Sequence, residues 1–149
     1  MLEAFTEIVK NKIFMTTLSA WVIAQTIKVT IGAIRQKKFD FRWFIGTGGM
    51  PSSHTTGASC LAAAVGFEYG FDSAYFALAA SFAIVVMFDA QGVRRASGRQ
   101  ARILNKIMDD IYWQGKIHEG RLRELIGHTP IEVIAGFLLG VAIALVARH

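Results

Sequence analysis

The sequence predicts an all-α fold: an integral membrane bundle of about four spans with short amphipathic helices. Hydrophobic residues make up 53% of the 149 positions and charged residues only 18%, a balance typical of membrane proteins. Apolar segments near the length needed to cross a bilayer recur along the chain, and turn residues separate them. Neither an internal repeat nor a low-complexity linker divides the sequence, so we expect residues 1–149 to form one domain.

The predicted spans follow a short amphipathic helix over residues 1–12, and they cover residues 13–34, 54–68, 73–88 and 130–147. The second segment has about 15 residues, whereas a lone span needs about 20. It is rich in small residues, which allow close contacts between helices. We therefore expect this segment to be buried among the other helices or tilted.

Two basic connections, residues 35–50 and 89–127, join these spans, and with four spans both lie on the same side of the membrane. They contain four and eight, respectively, of the 16 Lys and Arg residues. The positive-inside rule then predicts a protein of the cell membrane with this face in the cytoplasm and both termini outside. Apolar residues at helical spacing between positions 103 and 112 predict that the second connection forms an extramembrane amphipathic helix.

The net charge indicates which partners suit the chain, and the single cysteine limits its disulfide bonding. A net charge of +5 in a hydrophobic chain suits anionic lipid head groups, and the sequence lacks the interleaved aromatic and basic residues of a nucleic-acid reader. Cys60 has no second cysteine to pair with, which excludes an intrachain disulfide. The acidic N-terminal residues predict that no cleavable signal peptide is present. The sequence leaves a homo-oligomer open.

A polar turn over residues 48–56, Gly-Gly-Met-Pro-Ser-Ser-His-Thr-Thr, precedes the second span. Its glycines and proline predict a loop, and the apolar run that follows predicts the start of a helix. Ser52, Ser53 and His54 then lie at the positive end of a helix dipole, beside backbone N–H groups that suit an anion. The alternative is an ordinary helix cap, since Ser and Thr commonly serve as caps.

Lys28 and Arg35 lie on one face of the first span, together with Gln25 and Gly32. A charge facing lipid costs several kcal/mol, so this face is expected to look into protein or water. The alternative for Lys28 is snorkelling to the head groups, although it lies about two turns inside the end of the apolar segment.

His128 and Glu132 are four residues apart at the start of the fourth span, and a carboxylate placed there can accept a ring N–H and fix its tautomer. Such a pair suits a nucleophile or a general base with its orienting group. The alternative is a polar pair that caps a membrane helix. The predicted topology brings this pair, Asp89 and the groups described above to one face of the membrane.

In chain order, Lys28-x6-Arg35, Pro51-Ser52-Ser53-His54 and His128-x3-Glu132 resemble the three-part signature of the phosphatidic acid phosphatase type 2 and vanadium haloperoxidase superfamily. The resemblance is closest to its small divergent membrane branch, and Asp89-Ala-Gln-Gly-Val-Arg-Arg is similar to that branch as well. It covers about residues 20–140. It implies a metal-independent phosphatase without a cofactor.

The resemblance also implies a role for each matched residue. Its phosphate-binding residues would be Lys28, Arg35, Ser52 and Ser53, with Arg121 or Arg123 as a further cation. His128 would attack phosphorus to form a phosphohistidine, Glu132 would orient it, and His54 would protonate the leaving oxygen. Cations at the depth of a head group favour a phospholipid phosphate or a prenyl diphosphate as substrate, with its tail in the bilayer.

Three positions depart from the family's usual residues: a proline is Gln36, a glycine is Ser53 and an aspartate is Glu132. The arginine of the third motif is unassigned, because Arg123 is one residue too close to His128 and Arg121 is one too far. Arg94 or Arg95 are candidates to replace it, and Asp89 would support the site by pairing with an arginine.

Two other functional classes stay open from the sequence. Asp89-x2-Gly92-x2-Arg95 partly matches the metal-binding start of phosphatidyl alcohol transferases, but only Asn105, Asp109 and Asp110 follow at positions where further aspartates are needed. The third class is non-catalytic: a small membrane protein that binds anionic lipid or takes part in transport.

Overall fold

The computed structural model describes residues 1–37, 49–112 and 128–148. Every regular element in these ranges is an α-helix, apart from one π-helical turn at Asp89–Val93. The helices are α1 (Leu2–Lys10), α2 (Lys12–Gln36), α3 (Ser53–Tyr69), α4 (Ala74–Phe88), α5 (Arg94–Tyr112) and α6 (Pro130–Ala147). The predicted all-α membrane bundle is therefore confirmed.

Three stretches within this part of the chain are long and apolar enough to cross a membrane: Lys12–Gln36, Ala74–Gly92 and Pro130–Ala147. They correspond to the first, third and fourth predicted spans. Side-chain caps fix where all three begin. Asn11 accepts a hydrogen bond from Phe14 N at 3.0 Å, Ser73 accepts one from Phe76 N at 3.1 Å, and Thr129 accepts one from Glu132 N at 3.4 Å.

Helix α3 is the second predicted span, and it lies at the centre of the bundle, against α2, α4 and α6. It has 17 residues, most of them buried, whereas α4 and α6 expose large apolar side chains along much of their length. Helix α3 is one residue shorter than Pro130–Ala147, the shortest of the three spanning stretches. The expectation that this short segment is buried among the other helices is confirmed.

The contact between α3 and α6 depends on two glycines. A β carbon added at Gly136 would lie 2.7 Å from the carbonyl oxygen of Ser52, and one added at Gly140 would overlap Ser59 Oγ and the carbonyl oxygen of Thr56. Ser59 Oγ donates to the carbonyl oxygens of its own helix and approaches that of Phe137 at 3.3 Å. The backbones of α3 and α6 therefore approach as closely as small residues permit.

Small side chains also fill the interfaces of α3 with its other neighbours. Cys60, Ala20 and Ala144 are almost completely buried where α3 meets α2 and α6. Towards α4, the buried cluster consists of alanines and one valine: Ala58, Ala62, Val65, Ala79 and Ala83. The result is a tightly packed scaffold below the polar start of α3.

The surface elements agree in part with the sequence. Helix α1 confirms the short N-terminal amphipathic helix, and α5 confirms helical structure in the second basic connection as far as Tyr112. Ile103 and Leu104 are exposed on α5 beside Arg102 and Lys106, as its amphipathic pattern predicts. Residues 38–48 and 113–127 of the two connections lie outside the described residues.

Gly140→Leu is expected to lower the free energy of unfolding of the bundle by at least about 1 to 3 kcal/mol, because the new side chain must displace Ser59 and the α3 backbone. The measurement is the temperature at which Cys60, the single and buried cysteine, becomes reactive towards a thiol-reactive fluorophore in detergent. Gly57→Ala is the matched control, since its β carbon would meet Trp21 Cβ at an ordinary 3.9 Å. Equal reactivity profiles for the two variants would contradict the close α3–α6 contact.

Candidate functional site

Lys28 lies on the buried face of α2 and is only 9% exposed. Gly49, in the loop before α3, packs on the aliphatic part of this side chain, and a β carbon there would lie 3.1 Å from Lys28 Cγ. Gly49 also has φ +92°, a conformation that side chains with a β carbon rarely adopt. The loop therefore closes over Lys28, whose side chain is covered by protein rather than by lipid.

A cleft of about 320 Å³ opens between the end of α2 and the start of α6. Lys28, Arg35, Gly49, Thr129 and Glu132 are among the residues that line it. Arg35 lies in the last turn of α2 and is exposed, unlike Lys28. Two cations from one helix thus share a cleft with a carboxylate from another.

Ser52, immediately before α3, is fully buried. Its Oγ accepts hydrogen bonds from Thr55 N at 3.4 Å and Thr55 Oγ1 at 3.0 Å, while its carbonyl oxygen accepts one from Thr56 Oγ1 at 2.9 Å. This is the geometry of a helix N-cap. Ser53 is also buried, whereas His54 is exposed on the first turn of α3.

His128 is 4% exposed and lies beside Glu132, with 3.0 Å between His128 Nδ1 and Glu132 Oε2. An ionised carboxylate can only accept a hydrogen bond, so Nδ1 is the donor in this pair. In a neutral imidazole, Nε2 then carries the lone pair, which is the form required of a nucleophile or a base. The pair therefore fixes both the orientation of the ring and its tautomer.

Glu132 has a second function as part of a capping box at the start of α6. Glu132 Oε2 accepts a hydrogen bond from Thr129 N at 3.0 Å, and Thr129 Oγ1 accepts one from Glu132 N at 3.4 Å. These two reciprocal hydrogen bonds hold the Glu132 carboxylate at the start of α6. One oxygen atom of Glu132 thus serves the helix start and the histidine ring together.

Two backbone hydrogen bonds fasten this region to the rest of the bundle. Ser52 N donates to the carbonyl oxygen of Glu132 at 3.1 Å, which brings the start of α3 beside the start of α6. His128 N donates to the carbonyl oxygen of Ala90 at 3.0 Å, within the π turn. The positive ends of the α3 and α6 dipoles therefore lie close to the cationic cleft, an arrangement that attracts anions.

Lys28, Arg35 and Glu132 line one cleft, and Glu132 contacts His128 and Ser52, which are not among the residues that line it. Ser53 and His54 follow Ser52 directly in α3. Asp89 opens the π turn beside Ala90, and Arg94 and Arg95 begin α5. Arg121 and Arg123 lie outside the described residues, so the choice between them stays a prediction. Within the described ranges, no group of three or more His, Cys, Asp or Glu side chains is placed to hold a metal ion.

Sequence reasoning missed two participants, Thr129 and the carbonyl of Ala90. Thr129 carried a readable signal, because Thr-x-x-Glu before an apolar run is the pattern of a capping box. The Ala90 carbonyl carried none, since a backbone acceptor leaves no mark on the sequence.

Comparison with known proteins agrees with the motif pattern. The model of a family described as the divergent PAP2 family matches residues 9–143. An uncharacterized membrane protein of Bacillus subtilis strain 168, YuiD, is 40% identical over an alignment that covers 96% of this chain and 98% of the relative. No solved structure matches the chain.

Ser52→Ala is expected to lower the free energy of unfolding by about 1 kcal/mol, because it removes the cap of α3. Ser73→Ala, which removes the cap of α4 far from the cleft, is the matched control and is expected to cost a similar amount. Thermal unfolding of both variants, followed by circular dichroism in the same detergent, measures the two costs. An unchanged stability for Ser52→Ala alone would contradict its assignment as a cap.

Proposed function

Because the chain belongs to the divergent PAP2 family, we propose that it is a membrane phosphatase that hydrolyses a lipid phosphate or prenyl diphosphate. The observation that carries the proposal is the buried His128–Glu132 pair, with 3.0 Å between Nδ1 and Oε2, at the edge of a cleft that contains Lys28 and Arg35. An imidazole that is oriented through Nδ1, with two cations in the cleft that its partner Glu132 lines, suits nucleophilic attack on a phosphoryl group.

In the proposed reaction, His128 Nε2 attacks phosphorus while the bond to the leaving oxygen breaks. His54 donates a proton to that oxygen, and the products of this step are an alcohol, or a phosphomonoester from a diphosphate, and a phosphohistidine. A water molecule then attacks phosphorus, His54 takes up its proton, and inorganic phosphate leaves as the bond to Nε2 breaks. Glu132 keeps its hydrogen bond to Nδ1 and stabilises the charge that the ring acquires in the first step.

The cations would bind the equatorial oxygens of the phosphoryl group, where negative charge is spread in the transition state. Lys28 is the better positioned of the two, because burial by Gly49 holds its stem while the residue lines the cleft. Arg35 would add a second contact from the exposed rim. This electrostatic set requires no metal ion.

The remaining predicted site residues take supporting roles in this proposal. Ser52 would hold the start of α3 in place, and Ser53 and the backbone of that turn would face the phosphoryl oxygens. Asp89, Arg94 and Arg95 would support the site from the π turn and the start of α5, and Arg121 or Arg123 would complete it.

A lipid substrate fits the position of the site within the bundle. The cleft lies at the ends of the apolar segments, where α2 finishes and α6 begins, so a phosphate there would be at the level of the head groups. Its hydrocarbon tail could then remain in the bilayer. With the basic connections at this end, the proposed location is the cell membrane with the active face in the cytoplasm.

His128→Ala is expected to abolish phosphate release, because it removes the imidazole that Glu132 orients and that the proposed reaction uses as its nucleophile. The measurement is phosphate release by detergent-purified protein from phosphatidate, phosphatidylglycerophosphate and prenyl diphosphates, with a chelator present. Ser73→Ala, a substitution remote from the site, is the control for activity lost through mutation and purification alone. Full turnover by folded His128→Ala would overturn the mechanism, and no turnover by wild type on any substrate, together with binding to anionic vesicles, would instead favour a lipid-binding protein.

Lys28→Met is expected to lower kcat/KM by about 10²- to 10³-fold, the usual loss when a group that stabilises transition-state charge is removed. Methionine retains most of the aliphatic stem that packs on Gly49, so folding should be preserved. Lys12→Met, at the opposite end of the same helix, is the matched control and is expected to keep wild-type kinetics. Equal kinetics for both variants would remove Lys28 from the proposed site.

A further inference from the structure

The helical segment that follows α4 does not continue as a regular α-helix. Asp89–Val93 forms a π turn between α4 and α5. In a π turn the backbone hydrogen bonds join residues that are five apart in the chain, whereas in an α-helix they join residues that are four apart. Such turns are rare and interrupt the regular ladder of backbone hydrogen bonds. Here the interruption coincides with the contact between Ala90 and His128.

The contact is buried and specific. His128 N donates to the carbonyl oxygen of Ala90 at 3.0 Å, and Ala90 and His128 are 3% and 4% exposed. Water is therefore excluded from the bond, and breaking it would leave a buried N–H without this acceptor, at a substantial cost in free energy. His128 immediately precedes Thr129, the N-cap of α6, so this bond fixes the backbone from which the ring projects.

We propose that the π turn Asp89–Val93 is a positioning element for His128, acting through the carbonyl of Ala90. The carbonyl holds the backbone of His128, while Glu132 holds its ring, so the direction of Nε2 is fixed from two sides. The kinetic consequence rests on the proposed phosphatase function. The structural consequence, an ordered and hydrogen-bonded His128 ring, does not depend on catalysis.

The extra residue in the π turn is what allows the Ala90 carbonyl to accept the hydrogen bond from His128 N. In a continuous α-helix, the carbonyl of Ala90 would be directed along the axis towards the N–H four residues later. The extra residue changes the direction of the carbonyls at this junction. Gly92 is not required for space, because a β carbon added there would meet nothing within 4 Å.

The test is deletion of Gly92, which restores the α-helical register between α4 and α5, with Gly92→Ala as the control that keeps the length. The first measurement is ¹⁵N NMR of histidine side chains in detergent micelles, with the His128 signals assigned from a His128→Gln sample. Wild type and Gly92→Ala are expected to show an Nδ1–H donor in a stable hydrogen bond. The deletion is expected to shift the His128 signals towards those of a freely rotating ring.

The second measurement is steady-state phosphate release. The deletion is expected to lower kcat by about tenfold or more with KM nearly unchanged, the pattern of a misaligned reacting group rather than of lost substrate binding. A wild type without turnover would refute the phosphatase function, yet the NMR comparison would still decide the positioning role. Unchanged His128 signals in a folded deletion variant would overturn it.

If the deletion variant does not fold, a milder change decides the question. An α-hydroxy acid at position 91, introduced by nonsense suppression, converts the Ala90–Gln91 amide to an ester and weakens the Ala90 carbonyl as an acceptor. The same ester between Ala79 and residue 80, within α4, is the control. A His128 signal shifted only by the first ester supports the proposal, and one shifted by neither overturns it.

Discussion

The close approach of α3 and α6 is the constraint on which the rest of the structure depends. Lipid gives little hydrophobic driving force for helix association, so packing and hydrogen bonds must hold a membrane bundle together. Gly136 and Gly140 allow the α6 backbone to lie against Ser52, Thr56 and Ser59 of the α3 segment. Since the two helices start at the same end, the hydrogen bond from Ser52 N to the Glu132 carbonyl brings their polar N-terminal turns into contact. Tight packing within the membrane thereby determines the geometry at its surface.

The hydroxyl groups at this interface are tolerated because they satisfy one another or the backbone. Thr56 Oγ1 donates to the Ser52 carbonyl and Ser59 Oγ to that of Thr55, at 2.9 and 2.8 Å. Both hydroxyls are thus paired where water is scarce, as a membrane interior requires. The start of α6, which is held against α3 in this way, forms one wall of the cleft, and α2, with Lys28 under Gly49, forms another.

The features that depend on side-chain type could be predicted from the sequence. Those that depend on hydrogen bonds between main-chain atoms could not. Long apolar runs define α2, α4 and α6, and the small residues of α3 correctly predicted its burial. For the side chain of Ser52, the alternative interpretation as an ordinary helix cap is correct, because its Oγ accepts a hydrogen bond from Thr55 N. The π turn and the Ala90 carbonyl were out of reach, because a hydrogen bond between main-chain atoms distant in sequence has no residue signature.

The structure also gives a physical reason for one departure from the family's usual pattern, Glu132 in place of aspartate. Glu132 Oε2 accepts hydrogen bonds from both Thr129 N and His128 Nδ1, each at 3.0 Å. Reaching back to the N-cap from the third helical position is the geometry for which glutamate and glutamine are selected in a capping box. Aspartate is one methylene shorter, so it could not make the same pair of contacts without a shift of the backbone. In this chain the longer carboxylate joins the start of α6 to the orientation of His128, so the departure is consistent with an ordered site.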